Sequence, residues 1–243
     1  MVPITGKLYD YSWDIITDLT SIRSITKSFI LQQFKKDSNQ QIIIYRDKLQ
    51  DPLRWESPKK VLVGAGGDLF HEETPFEFIE KVFKVMRKAE NHTFMVLTER
   101  PNRAKMFLES DLRRDIFKHW PFPNVWLGVY TRNYNSELDV VEKLNQFIGI
   151  PATKKFLVID PSELALDLRP YLGRVSGCMY HCPGTKDSCH LQSWECQKGQ
   201  ESKEGISVVI CKKDPKNETK HAFWIMHLVN QCMAVDVPVL FMP

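Results

Sequence analysis

The chain predicts an α/β fold built on a parallel sheet, and three observations carry that reading. Short apolar runs rich in Val, Ile and Phe recur without strict alternation, as expected of strands covered on both faces. Segments with apolar residues at three- and four-residue steps lie between them. The runs are spaced by about thirty residues, which suits a strand, a crossover helix and the next parallel strand. The chain is read as a single α/β domain over residues 1–243, with an insertion at residues 173–205. Pattern alone leaves an open doubly wound sheet and an incomplete barrel equally open.

In order, the predicted strands are Gln41–Tyr45, Lys60–Gly64, Thr93–Leu97, Val125–Val129, Lys155–Ile159, Ile206–Ile210 and Val237–Phe241. Trp126, inside one of them, reads as core. The first helix runs over Pro75–Ala89, with Ile79, Val82, Phe83 and Met86 on the buried face and Glu80, Lys84 and Arg87 facing away. Its start is signalled by Thr74-Pro75-Phe76-Glu77, which offers an N-cap hydroxyl, a Pro at the first helical position and a Glu three residues after the cap. A second helix, Ser136–Ile148, places Leu138, Val141, Leu144 and Ile148 on one face, and His221–Val235 is the last helix before the closing strand.

The most informative stretch is Gly66-Gly67-Asp68-Leu69-Phe70-His71-Glu72, between the run ending at Gly64 and the first helix. In parallel α/β proteins ligands bind outside the carboxyl ends of strands. Asp68, His71 and Glu72 have the residue types for acid–base work or metal ligation; they equally suit a turn and its fastenings. Thr98, Glu99 and Arg100 follow the next strand and face the same mouth. The Arg100 fork suits either a phosphate or a salt bridge to Glu99 or Asp68. Asp68, His71, Glu72, Thr98 and Arg100 are therefore the ligand-pocket candidates. His119-Trp120-Pro121-Phe122-Pro123 is an aromatic loop able to stack a base or to pack down.

Net charge is +3, from 33 basic and 30 acidic residues, which neither selects nor excludes nucleic acid. No run approaches the ~18 apolar residues of a membrane span. The first residues lack a charged segment followed by an apolar one, so no secretory signal is expected. The expectation is a soluble cytoplasmic protein whose six cysteines are not a secreted disulfide framework.

Four of those cysteines, Cys178, Cys182, Cys189 and Cys196, are spaced Cys-x3-Cys-x6-Cys-x6-Cys within the insertion, with His181 and His190 beside two of them. The segment has almost no apolar periodicity and cannot gain order by burial. A tetrahedral zinc on the thiolates, with an imidazole as alternative ligand, would supply that order; so would an iron–sulfur cluster. Unliganded or disulfide-paired cysteines are the third reading. Cys211 and Cys232 fall in a strand and a helix and read as packed thiols.

Several ordered segments together resemble one family. They are Leu49-Gln50-Asp51-Pro52-Leu53-Arg54-Trp55, then Asp68–Glu72 with Phe78-Ile79, Val82–Met86, His92-Thr93-Phe94, Leu97–Pro101 and Pro123–Val129, then His221, Trp224, Gln231-Cys232 and Val237-Pro238. In this order, from about Trp13 to Phe241, the chain resembles the phage three-Cys-motif proteins, which are related to radical S-adenosylmethionine enzymes. The resemblance implies a radical-enzyme-like partial α/β barrel. It also implies a Trp-led segment with three cluster cysteines spaced Cys-x6-Cys-x2-Cys. Laid on Trp13, those positions are Leu19, Thr26 and Phe29, and no cysteine precedes residue 178. The family's Gly-Gly-Glu after a late strand reads Ile210-Cys211-Lys212, and a Ser and Glu before a Pro read Ile159-Asp160-Pro161. The expectation is a degenerate member of phage or mobile-element origin that does not use S-adenosylmethionine. It would act as a binding or regulatory module toward a host protein or nucleic acid. The alternative is an iron–sulfur enzyme, its cluster on the inserted cysteines, that modifies a nucleobase or nucleotide.

Overall fold

A computed structural model describes residues 9–19, 41–110, 117–131, 136–161, 166–175, 203–212 and 218–242. Cys178, Cys182, Cys189, Cys196, His181 and His190, together with Thr26 and Phe29, lie outside the described residues. The chain groups into two compact units, one on Gly6–Tyr130 with Pro151–Thr153, the other on Thr131–Ile150 and Lys154–Pro243.

In the first unit the elements are β1 (Tyr11–Trp13), β2 (Ile16–Asp18), β3 (Ile42–Ile44), a 3-10 helix over Asp47–Arg54, β4 (Lys60–Val63), α1 (Phe76–Lys88), β5 (Thr93–Thr98), α2 (Pro101–Leu108) and β6 (Val125–Thr131). β1 pairs with β4, β4 with β5, and β5 with β6, all parallel. Val61, Val63, Phe94, Met95, Val96 and Val125 are buried, so these strands are covered on both faces as their composition requires. α1 buries Phe78, Ile79, Val82, Phe83 and Met86. Phe83 meets Phe70, Phe107, Phe117 and Trp120 in one aromatic cluster, with ring centroids 5.4–6.3 Å apart.

The second unit holds α3 (Glu137–Ile148), β7 (Lys155–Ile159), a 3-10 turn at Arg169–Tyr171, β8 (Arg174–Val175), β9 (Lys203–Glu204), β10 (Ile206–Lys212), α4 (Glu218–Ala234) and β11 (Val239–Met242). β10 lies between β7 and β11 and is parallel to both. β8 and β9 pair antiparallel, Arg174 opposite Glu204, and Gly205 N–H donates to Gly173 O at 2.7 Å. Residues 173–175 and 203–205 are thus brought together. Cys211 and Cys232 are fully buried, as packed thiols, and burial pushes both up to about 12, with Asp160 adding to it at Cys211.

The protein is therefore mixed α/β, with seven strands in parallel pairings among the described residues. Six readings change. The run Gln41–Tyr45 does not join the parallel set: β3 pairs antiparallel with β2, which lies before it in sequence. The fourth parallel partner in that unit is β1, three residues with no periodic signal of its own. The helix α2 was not expected, and Pro101 sits at its first position. α3 buries Val140, Leu144 and Phe147, while Leu138 is 76% exposed. Both stripes have helical spacing; the capping box of Ser136 and Asp139 fixes the first turn, and packing selects the stripe. Thr74 is not the cap of α1, because Pro75 occupies that place and no side chain caps it. Trp126 is half-buried, with the Lys60 ammonium 5.6 Å from its ring centroid.

Candidate functional site

The site grows from the loop after β4. Gly64 has φ +101°, and a Cβ there would stand 2.6 Å from Leu97 O. At Gly67 a Cβ would stand 2.8 Å from Asp18 N and 2.9 Å from the Ile16 side chain. The glycines exist because β2 and β5 crowd this loop, and Asp18 N–H donates to Gly66 O at 2.8 Å.

Asp68 comes next and ties two strand ends together. Its Oδ1 accepts the Phe70 N–H at 2.9 Å, closing a local turn. Its Oδ2 accepts from Thr98 Oγ1 and Glu99 N, each at 2.9 Å, and from Arg100 Nη1 at 3.1 Å. Arg100 N–H in turn donates to Thr98 Oγ1 at 2.9 Å. Arg100 Nε donates to the Glu72 carboxylate, 2.7 Å from Oε2 and 2.9 Å from Oε1. Four of the five expected residues, Asp68, Glu72, Thr98 and Arg100, therefore meet in one network. His71 stands beside it. Its ring is buried, and Nδ1 accepts the Glu73 N–H at 3.2 Å, which puts the proton of the neutral ring on Nε2. Nε2 lies 3.9 Å from Glu72 Oε2, beyond hydrogen-bond length.

Within the network two carboxylates share the one Arg100 guanidinium. Burial works against ionisation of Glu72, yet its own backbone N–H, Arg100 and His71 outweigh it and hold the carboxyl below its usual range. Burial likewise opposes the Arg100 charge, and Asp68 and Glu72 overcome it to raise the guanidinium above its ordinary value. Asp68 spends its lone pairs on four donors, and Arg100 spends its fork on two carboxylates. Such a network fastens a loop; it has little left over for accepting a proton or a metal. Among the described residues no group of three or more His, Cys, Asp or Glu is arranged to hold a metal ion.

Over residues 17–242 the chain matches a family model whose description is "Protein of unknown function (DUF5131)". It belongs to the DUF5131 family. No curated protein and no solved structure matches it.

Two further places in this DUF5131 chain bear on function. Leu19, where the resemblance puts the first cluster cysteine, is fully buried against Ile43, with Tyr45 packed beside them. The aromatic loop packs down: Trp120 Nε1–H donates to Pro151 O at 2.8 Å, and its ring lies 5.3 Å from Phe122 and 5.7 Å from Phe83. Sequence reasoning passed over Arg103, one helical turn after Arg100. The signal was available, since residues three apart share a helix face once Pro101 is recognised as a helix start.

Proposed function

We propose that this chain is a degenerate relative of radical S-adenosylmethionine enzymes, of phage or mobile-element origin, that works as a binding or regulatory module in the cytoplasm. On this reading its parallel strands form a partial barrel inherited from an enzyme. The inserted Cys178, Cys182, Cys189 and Cys196 hold zinc and present a surface to a host protein or nucleic acid.

Leu19 is the observation that supports this most. A cluster iron needs a thiolate on a reachable loop; the side chain here is an apolar one, with no exposure and packed on Ile43. The residues do not fit the three-cysteine cluster, and Thr26 and Phe29 are not thiols either. The self-satisfied Asp68–Arg100 network agrees, because Asp68 is committed to two backbone N–H groups, Thr98 and Arg100, and Glu72 to Arg100.

Anaerobic purification tests the reading directly. The protein should be colourless and carry about one zinc per chain by elemental analysis. After reconstitution with iron and sulfide, then dithionite and S-adenosylmethionine, no 5′-deoxyadenosine should be released above background. A brown protein with broad visible absorption, or stoichiometric release of 5′-deoxyadenosine, would move the assignment to an iron–sulfur enzyme acting on a nucleobase or nucleotide.

A further inference from the structure

We propose that Arg103 and Thr74 form a binding site for a phosphate-class oxyanion. In sequence Arg100 suits an anion or a salt bridge alike; the structure gives it the salt bridges, to Asp68 and Glu72. Arg103, in the first turn of α2, is placed differently. Its Nη2 donates to the Thr74 carbonyl at 2.8 Å, and its Cζ stands 4.4 Å from the centre of the Phe76 ring. No carboxylate lies within ion-pair range of it among the described residues. Burial first, and then the neighbouring Arg100, lower its pKa against the opposing pull of Glu72 and Asp68.

Two buried polar atoms at this place have no hydrogen-bond partner: Arg103 Nε and Thr74 Oγ1. Thr74 is completely buried. Buried donors are nearly always paired, and each exception calls for an explanation. One residue joins the two exceptions, since Thr74 holds Arg103 by its carbonyl while its own hydroxyl is unpaired. A water could answer the hydrogen bonds but brings no charge to the guanidinium. A tetrahedral oxyanion answers both, accepting from the guanidinium fork and from the hydroxyl. The leading N–H groups of α2 have no intrahelical acceptor, and the positive end of its dipole favours the same ligand. Because both orphan atoms are covered at rest, binding requires the Arg103 side chain to turn off Phe76 and open Thr74 Oγ1. The resting state leaves two groups unsatisfied, which lowers the cost of that movement. None of this depends on radical-enzyme ancestry.

The experiment uses the full chain and two probes, inorganic phosphate and a short single-stranded oligothymidylate, at low salt. Binding is read by calorimetry and by the nitrogen-15 signal of the Arg103 Nε–Hε group. Wild type should bind at least one probe saturably, and the Arg103 signal should shift with occupancy. Arg103→Gln should weaken binding about tenfold or more, as expected for loss of a charge-assisted fork. Arg103→Lys, which keeps charge but not geometry, should fall between, and Lys84→Gln on the exposed face of α1 should bind as wild type. Saturation by inorganic phosphate supports the site and marks a free phosphate group as sufficient. Binding of the oligonucleotide alone, lost in Arg103→Gln, supports it and assigns the phosphate to a nucleic-acid backbone. Binding of neither probe by wild type, equal binding by Arg103→Gln, or an Arg103 signal unmoved at saturation overturns it. Should Arg103→Gln fail to fold, Arg103→Lys and the wild-type signal decide in the same way.

Discussion

At the residue scale, single polar atoms decide what this site does. Asp68 accepts four hydrogen bonds, two of them from the backbone and one from a charged donor. Asp68→Asn keeps the volume but removes the charge and turns one oxygen into a donor facing donors. It should cost about 2–3 kcal/mol, the range for hydrogen bonds to a charged group, seen as a lower urea midpoint with an unchanged slope. Thr74→Val removes a buried hydroxyl that has no partner. Stability should rise by about 1 kcal/mol, since an unpaired buried group is replaced by an apolar one of the same shape; a clear loss would mean the hydroxyl is bonded after all. Glu72 sets a pH dependence. Its folded pKa lies below the unfolded value of about 4.3, so the unfolded chain takes up protons first as the pH falls. Its contribution is present above that value and is lost as the pH drops through the folded pKa. Glu72 is 66% exposed, so the effect is well under about 1 kcal/mol. Glu72→Gln should lower neutral stability by that small amount and flatten the acid limb of the stability profile to the same extent.

At the element scale, loops and helix ends are held by polar side chains that reach backbone groups. Asn124 Nδ2 donates to Met86 O at 2.9 Å, His92 O at 3.2 Å and Ala89 O at 3.3 Å, satisfying carbonyls at and just beyond the end of α1. His92 Nδ1 accepts the Lys59 N–H at 3.2 Å, and its Nε2 meets Pro52 O at 3.1 Å, clamping the 3-10 helix over Asp47–Arg54 to the strand edge. Gln231 does the same for residues 166–168, accepting the Leu168 N–H at 2.6 Å and donating to Leu166 O at 2.8 Å. Motifs that look like a functional signature in sequence are here largely the fastenings of a scaffold. Gly67→Ala should destabilise by about 1–3 kcal/mol, because the added methyl meets backbone at Asp18 and Ile16 as well as the Ile16 side chain, and the backbone cannot turn aside. Thermal unfolding checks this, and Ala tolerated at full stability would mean β2 can lift from the loop.

At the scale of the whole molecule, the segment expected as an insertion has its two ends held together. Its ends close through the β8–β9 pair and the Gly173–Gly205 backbone bond, so the parallel strands on either side do not need its middle. Cys182→Ser should therefore leave the α/β units folded and make the chain cleavable within residues 176–202, with both flanks resistant to limited proteolysis. Global unfolding of that variant at ordinary temperature would place the insertion in the core.

Fold class and most element positions were legible in the amino-acid sequence because both rest on local periodicity. Phe76–Lys88, Thr93–Thr98, Lys155–Ile159 and Ile206–Lys212 each carry a pattern strong enough to stand alone. So did the grouping of Asp68, Glu72, Thr98 and Arg100, because consecutive parallel strands bring their carboxyl ends to one side. What periodicity could not supply was the partner of each group. Three-residue β1 is a strand only because β4 lies beside it, and Gln41–Tyr45 left the parallel set because β2 reached it first. The α3 stripe, the missing partner of the Thr74 hydroxyl and the choice of Arg100 over Arg103 for the carboxylates are likewise decided by distances between atoms far apart in sequence. Hydrogen bonds are short-ranged and directional, so which acid meets which arginine is settled only when the strands are in register.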